Sequence, residues 1–282
     1  VYFPDGGASH GDAPLPGAVA ALTASWHMQQ AMAELAEVKT TLGTFPLRMK
    51  IGLNSGSFFA GRLGTPDDRQ FIVTGDNVNA TARAESLSVA GQILVTPMVY
   101  AALNGPASPF QFAPGPDDHY LLTSLLTVPE LSITPWPQQL LEPDTPLDSI
   151  VTALDRLTPF LPNGLLPRLM GDAAQPRASG EHRLVGTLFC NFFGASDLIE
   201  QLGTDRADEI AAHLNRYLIK MHTAIAQYGG VISKIDLYDH GDKIMAIFGA
   251  PIAHENDAER TLRAALDMQA SVRNLAVMKI EQ

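Results

Sequence analysis

The stretch Phe71–Arg83, Phe-Ile-Val-Thr-Gly-Asp-Asn-Val-Asn-Ala-Thr-Ala-Arg, decides how the rest of this chain is interpreted. An apolar run is followed by Gly-Asp and then by helix-compatible residues, so the pattern predicts a short strand, a turn and the start of a helix. Asn79 and Arg83 are four residues apart and would share one face of that helix. An amide beside a guanidinium suits phosphate oxygens, although a capped surface helix with an exposed arginine gives the same local pattern.

The flanking segments add further fixed spacings. Residues 47–64 read Leu-Arg-Met-Lys-Ile-Gly-Leu-Asn-Ser-Gly-Ser-Phe-Phe-Ala-Gly-Arg-Leu-Gly, and residues 91–96 read Gly-Gln-Ile-Leu-Val-Thr. Together with the central stretch they resemble the C-terminal half of a class III nucleotide cyclase domain, whose pattern runs strand, Asn-Ser-Gly, Ala-Gly-x-x-Gly, Gly-Asp-x-Val-Asn-x-x-x-Arg. The resemblance implies an α/β (α+β) fold of the ferredoxin-like type, with helices on one face of an antiparallel-rich sheet.

Composition limits the class of protein. The chain has 282 residues, of which 46% are apolar, enough for one large or two modest domains. The net charge of −11 argues against a nucleic-acid partner or an anionic membrane surface, and no apolar run approaches the ~18 residues of a membrane span. Cys190 is the single cysteine, which fits a reducing compartment, so a cytoplasmic location is expected. The chain starts at Val1 without a signal peptide, which predicts a piece of a longer protein.

Periodicity and turn residues predict the remaining elements. Helices are expected at 17–39, 78–87 and 147–157, around Leu198 and Leu202, along the apolar stripe from Ile210 to Ile225, and at Asp257–Val272. Strands are expected at Leu47–Leu53, Phe71–Val73, Ile93–Thr96 and Arg183–Phe193, with hairpins made by Phe110–Ala113 with His119–Leu126 and by Val231–Leu237 with Lys243–Phe248. Asp117-Asp118-His119 is interpreted as a solvated turn.

An internal repeat organises the whole chain. After a shift of 240 residues, Ala18, Leu22, Met28 and Gln29 fall on Ala258, Leu262, Met268 and Gln269. The same type of helix therefore opens and closes the chain, which predicts two tandem copies of one domain. The expected organisation is the C-terminal part of a first copy at 1–128, a Pro-rich linker at 129–180 and the N-terminal part of a second copy at 181–282.

Residues 181–282 carry the other half of the resemblance. Thr187–Asn191, Gly229–Lys234 and Gly241–Pro251 resemble the N-terminal half of a class III cyclase domain, and the whole pattern is similar to the soluble adenylyl cyclases and their bacterial relatives. The resemblance implies conversion of ATP to cyclic AMP and pyrophosphate with Mg²⁺ or Mn²⁺, in pockets that two cyclase domains form together. The implied partners are ATP and the missing halves of the same polypeptide.

The resemblance also implies roles for single residues. Asn79 and Arg83 match the pair that stabilises the transition state. Lys234 matches the lysine that reads adenine, and Ile72 takes the position of an adenine hydrogen-bonding residue, a bond that isoleucine cannot make.

Two further positions correspond to metal ligands of the family. Asp242 matches the second metal carboxylate, whereas Asn191 stands where the first metal aspartate is expected. A neutral amide is a weak ligand for Mg²⁺, so metal binding at this pair is expected to be impaired. The pocket with Ile72, Asn79, Arg83, Asn191 and Asp242 is therefore expected to be degenerate, and by resemblance Arg83 with Leu237 would hold bicarbonate or another small anion there.

Two functions and two arrangements stay open at this point. The chain is either the middle of an adenylate cyclase or a pseudo-cyclase that senses a nucleotide or small anion and regulates a fused ATPase. Its two halves either complement each other as one permuted domain or belong to separate domains with exposed sheet edges.

Overall fold

The computed structural model describes residues 16–129, 144–162, 165–167, 182–238 and 241–273. The chain divides into two compact units, of which the first contains residues 1–58 and 76–136 and the second contains residues 59–75 and 137–282. Within the described ranges, no helix combines the length and the apolar character needed to cross a membrane. The loop predicted at 5–17 and much of the linker predicted at 129–180 lie outside the described residues.

Helices and strands alternate along both parts of the chain. The helices are α1 (Pro16–Met32), α2 (Asp76–Leu87), α3 (Pro97–Leu103), α4 (Leu147–Leu157), α5 (Ala195–Leu202), α6 (Ala207–Gln227) and α7 (Asp257–Arg273). The strands are β1 (Val38–Thr40), β2 (Gly43–Phe45), β3 (Ile51–Leu53), β4 (Phe59–Gly64), β5 (Arg69–Thr74), β6 (Ile93–Val95), β7 (Phe110–Pro114), β8 (Tyr120–Leu125), β9 (Gly186–Phe192), β10 (Val231–Tyr238) and β11 (Gly241–Phe248).

The first unit is built on a four-stranded sheet in the order β3-β6-β8-β7. Strands β3 and β6 are parallel and the other neighbours are antiparallel. Helix α1 contributes Leu22 to a core that also contains Ile93, Val95 and Val99. A parallel pair joined through α2 is the arrangement expected of a β-α-β crossover.

The second unit is built on a three-stranded antiparallel sheet in the order β10-β11-β9. The long helix α6 packs its apolar stripe, including Ile210, Leu214 and Met221, into the core with Phe248 of β11. The order β9-α5-α6-β10-β11-α7 follows the opening β-α-β-β-α course of a ferredoxin-like unit. The predicted α/β fold class is confirmed.

The hairpin β4–β5 belongs to the second unit, although the sequence places it among residues of the first. Its apolar residues Phe59, Leu63 and Ile72 lie in the same core as α6. One segment of residues 1–128 therefore does complement residues 181–282. A single sheet made from both halves is not formed, because the described strands are arranged as four separate sheets.

Several predicted boundaries were wrong. Helix α1 ends at Met32 and one turn of 3₁₀ helix follows, after which the β-branched residues Val38 and Thr40 enter the hairpin β1–β2. The strand predicted from Leu47 begins only at Ile51. Strand β4 and helix α3 were not predicted. In contrast, α2, α4, the hairpin β7–β8 and the elements of the second half lie close to their predicted positions, except that the strand predicted from Arg183 begins at Gly186.

Candidate functional site

The start of α2 is fixed by side-chain contacts from the loop after β3. The Asn54 Nδ2 donates to the Asn77 carbonyl oxygen at 2.9 Å, and its Oδ1 accepts from the Thr96 hydroxyl at 2.7 Å. Asn77 in turn donates through Nδ2 to the Ser57 carbonyl at 2.8 Å. Gly56 is required here, since a Cβ at its φ of +159° would lie 2.3 Å from the Asn77 side chain. The Asn-Ser-Gly loop therefore determines where α2 begins.

Asn79 and Arg83 lie on α2 with the four-residue separation that puts them on one face. Asn79 is half-buried and Arg83 is exposed. The Arg83 guanidinium donates from Nη2 to Asp117 Oδ2 at 2.5 Å, and both side chains of this pair remain about half accessible to solvent. A guanidinium has five N–H donors, so this contact leaves others directed at solvent.

Asp117 is held in place by an unusual turn. Asp117 and Asp118 adopt positive φ angles of 52° and 58°, which short polar side chains tolerate better than others. The His119 ring is buried and its Nδ1 lies 2.6 Å from the Asp117 carbonyl oxygen. The segment is a turn, as the sequence predicted, but His119 is buried and not solvated. The Asp117 carboxylate provides the Arg83 partner that the sequence did not predict.

The two residues assigned to adenine recognition lie in the second unit. Ile72 is 5% exposed and is part of the hydrophobic core, so its side chain contacts apolar neighbours. Lys234 lies on β10, opposite Met245 of β11 and directly after a register shift, and its side chain is exposed.

The two residues assigned to metal binding are not brought together. In the β9–β11 ladder Asp242 pairs with Phe192, and Lys243 pairs with Asn191. Directly paired residues point to the same face of a sheet and successive residues to opposite faces. Asn191 therefore lies on the exposed face of the sheet, whereas Asp242 lies on the buried face.

Asp242 has an unusual environment for a carboxylate. It is 3% exposed, its Oδ2 accepts a 2.7 Å hydrogen bond from the Thr74 hydroxyl, and its Oδ1 is buried without a hydrogen-bond partner in the described structure. Burial raises the pKa of Asp242, and the Thr74 hydrogen bond lowers it by a smaller amount. The neutral form of the acid is thus favoured relative to a solvated aspartate.

These positions do not fit a divalent metal. Mg²⁺ is held through carboxylate oxygens and water, and usually needs more than one protein oxygen on the same side. Here one carboxylate is buried against the core and the neighbouring amide faces the other side of the sheet. In the described ranges no group of three His, Cys, Asp or Glu side chains is placed to hold a metal ion.

A groove of about 1040 Å³ runs along β9 between α6 and α7. Its lining includes Phe189 and Phe193, the basic side chains Arg216 and Lys220, and Cys190. The Cys190 sulfur lies 3.7 Å from the Tyr217 hydroxyl oxygen. Burial and the neighbouring thiol raise the pKa of the Tyr217 phenol, which therefore stays protonated.

Comparison with known proteins finds a family match for the part of the chain that contains α2. Residues 15–121 match the family described as the adenylate and guanylate cyclase catalytic domain. The match covers less than half of the chain and confirms the resemblance to the class III cyclases for this segment. The match contains Asn79 and Arg83 as well as the Asn54–Asn77 contacts that fix the start of α2.

Individual relatives match a similar share of the chain. Proteins described as uncharacterized, from Mycobacterium bovis and Mycobacterium tuberculosis, are 33% identical over 101 residues, which is 34% of this chain and 16% of each relative. The guanylate cyclase domain of RhGC from Catenaria anguillulae, solved with GTP, is 27% identical over 39% of this chain and 61% of its own, with a TM-score of 0.33. The guanylyl cyclase Cya2 is 29% identical over 40% of this chain and 60% of its own, with a TM-score of 0.31. The curated relatives are thus much longer than the stretch they share with this chain.

Proposed function

We propose that the chain is part of a class III adenylate cyclase, which converts ATP to cyclic AMP and pyrophosphate. The observation that carries the proposal is the Asn79–Arg83 pair on one face of α2, in a segment of cyclase sequence whose start is fixed by Asn54 and Asn77. In the reaction the ribose 3′-oxygen attacks the α-phosphate and pyrophosphate leaves. Negative charge grows on the phosphate oxygens, and a guanidinium with an adjacent amide can stabilise it. Asn79 and Arg83 belong to the pocket expected to be degenerate, so we propose that the competent pocket takes Lys234 from this chain and its own Asn–Arg pair from another part of the same protein.

Lys234 is the proposed nucleotide-selecting residue. Its ammonium group is a hydrogen-bond donor and can therefore bind an acceptor nitrogen of adenine. The exposed side chain of Lys234 on β10 is compatible with contact to a ligand. The choice of ATP over GTP depends on this residue and on the resemblance to the soluble adenylyl cyclases.

The metal ions of the reaction would come from other residues of the same protein. Two Mg²⁺ or Mn²⁺ ions would supply the charge that clamps the attacking and leaving oxygens. Since Asn191 and Asp242 lie on opposite faces of their sheet, we propose that they do not supply the metal ligands and that residues 1–282 alone form no cyclic nucleotide.

The test measures cyclic AMP and cyclic GMP by mass spectrometry after incubation with ATP or GTP and Mn²⁺. The intact gene product is expected to form cyclic AMP, and Lys234→Ala is expected to lower its rate by at least about tenfold. Lys39→Ala changes another exposed lysine, on β1, and is expected to leave the rate unchanged. Cyclic AMP formation by residues 1–282 alone would contradict the inactivity proposed for this piece.

A second candidate is a pseudo-cyclase that binds a nucleotide without turnover. The observation that favours it is the pair between Arg83 and Asp117, which engages the guanidinium within its own unit, together with the burial of Ile72. If the intact protein binds ATP in equilibrium dialysis and forms neither cyclic nucleotide, the sensor function replaces the enzyme.

A further inference from the structure

The hairpin β4–β5 is held on the second unit by polar contacts as well as by apolar packing. Near its tip, the Gly64 amide donates to Asn215 Oδ1 at 2.7 Å, and Asp68 Oδ2 lies 3.1 Å from His222 Nε2. Asn215 and His222 are seven residues apart on α6 and thus share one face of that helix. The tip of the hairpin therefore has two contacts on α6.

The last residue of the hairpin has a contact of its own. The Thr74 hydroxyl donates to Asp242 Oδ2 at 2.7 Å, and both side chains are at least 97% buried. A buried polar group without a partner is destabilising, so each of these two side chains depends on the other. The bond joins β5 to β11, two strands that belong to different sheets.

The same contact disfavours a metal at Asp242. One carboxylate oxygen is already used by Thr74, and the carboxylate faces the core with Phe192 directly opposite in the ladder. Placing a divalent cation there would bury its charge beside apolar side chains, and among the described residues no group of three His, Cys, Asp or Glu side chains is placed to hold it.

We propose that Asp242 is the buried anchor for the end of the β4–β5 hairpin and does not bind a divalent cation. It keeps β5 attached to the sheet of the second unit by accepting the Thr74 hydrogen bond. This role does not depend on whether the protein is a cyclase or a sensor.

The test is hydrogen–deuterium exchange of the peptides that cover residues 59–74, on the full chain. Thr74→Val keeps the side-chain shape and removes the donor, so we expect these amides to exchange about two- to tenfold faster. Thr74→Ser keeps the hydroxyl and should exchange at the wild-type rate. Asp242→Asn keeps an acceptor oxygen and should exchange no faster than wild type. Thr123→Val is the matched control, because this hydroxyl also bonds a strand, at Gln111 O in the first unit.

A titration of the chain with Mn²⁺ distinguishes the two possible roles of Asp242, as the acceptor of the Thr74 hydrogen bond or as a metal ligand. Millimolar Mn²⁺ is expected to change neither the exchange of residues 59–74 nor the melting temperature of the wild-type chain. A rise in melting temperature with Mn²⁺ that Asp242→Asn abolishes would overturn the proposal. Wild-type exchange in Thr74→Val would overturn it as well, because the hairpin would then not depend on this bond.

Discussion

The contact between β3 and α2 gives a sharp prediction at Gly52. A Cβ built on Gly52 would lie 2.2 Å from the Glu85 amide nitrogen and 2.7 Å from the Ala84 carbonyl carbon. These are main-chain atoms of α2, so rotating a side chain cannot relieve the clash. Ala84 is fully buried, which shows how closely the helix and the strand pack at this point.

The magnitude follows from this geometry. Ordinary contact begins at 3.4 Å, so Gly52→Ala requires a movement of about 1.2 Å, the difference between 3.4 and 2.2 Å. Adding one methyl group to a packed core costs about 1–3 kcal/mol. Because the main chain of α2 has to move, we expect the upper part of that range.

Urea unfolding followed by circular dichroism measures the effect. Gly105→Ala is the matched control, since a Cβ at Gly105 meets no atom within 4 Å and the residue lies in the same unit. We expect the control to be neutral or to gain up to ~1 kcal/mol through the unfolded state. A Gly52→Ala chain within about 0.5 kcal/mol of wild type would refute the claim that α2 and β3 are in backbone contact, because surface substitutions already span that range.

Two other predictions concern the second unit. Because burial raises the pKa of Asp242 above its unfolded value of ~3.9, the folded state binds the proton more tightly. This contribution to stability is present below pH ~4 and is lost as the pH rises through the folded pKa. The Asp242→Asn variant has no such titration, so its free energy of unfolding relative to wild type should increase between pH 4 and pH 7 in urea titrations. A constant difference across that range would contradict the shift. Asn215→Ala removes the acceptor of the Gly64 amide and should lower the free energy of unfolding by about 1–3 kcal/mol. Asn215→Asp keeps an acceptor oxygen and should lower it by less. Equal losses in the two variants would show that the hydrogen bond contributes nothing to stability.

The elements that could be predicted are those with strong periodicity. The apolar stripe of α6 recurs at helical spacing from Ile210 to Ile225, and β10 and β11 are largely apolar runs on either side of a polar turn. In both cases one face is buried by neighbours close in sequence. Local pattern and tertiary packing therefore agree, and the sequence was sufficient.

The elements that could not be predicted have conflicting local signals. Strand β4 contains Gly61 and Gly64, and glycine is depleted in strands. It forms because Phe59 and Leu63 pack into a core made mostly of residues more than a hundred positions away. The Arg83–Asp117 pair is similar, since it depends on two consecutive aspartates with positive φ, which nothing in the local pattern indicates.

The geometry of the two proposed metal positions could not be predicted for another reason. A motif fixes residue types and their spacing along each strand, but the register between two strands decides which side chains share a face. Shifting the β9–β11 ladder by one residue would place Asn191 beside Asp242 instead of opposite Lys243. The sequence motif was sufficient to select Asn191 and Asp242 as candidates. It could not show that their side chains lie on opposite faces of the sheet.

The repeated helix shows the same dependence on tertiary context. Leu22 of α1 is 0% exposed, whereas its repeat partner Leu262 of α7 is 68% exposed; Met28 is 49% exposed, whereas its partner Met268 is 3% exposed. Leu22 packs on the sheet of the first unit, and Met268 packs against the core around α6. The two helices therefore bury different faces of one repeated pattern, because each helix packs against the core of its own unit. An apolar repeat with residues on both faces predicts a helix in each case, but the neighbouring sheet decides which face is covered.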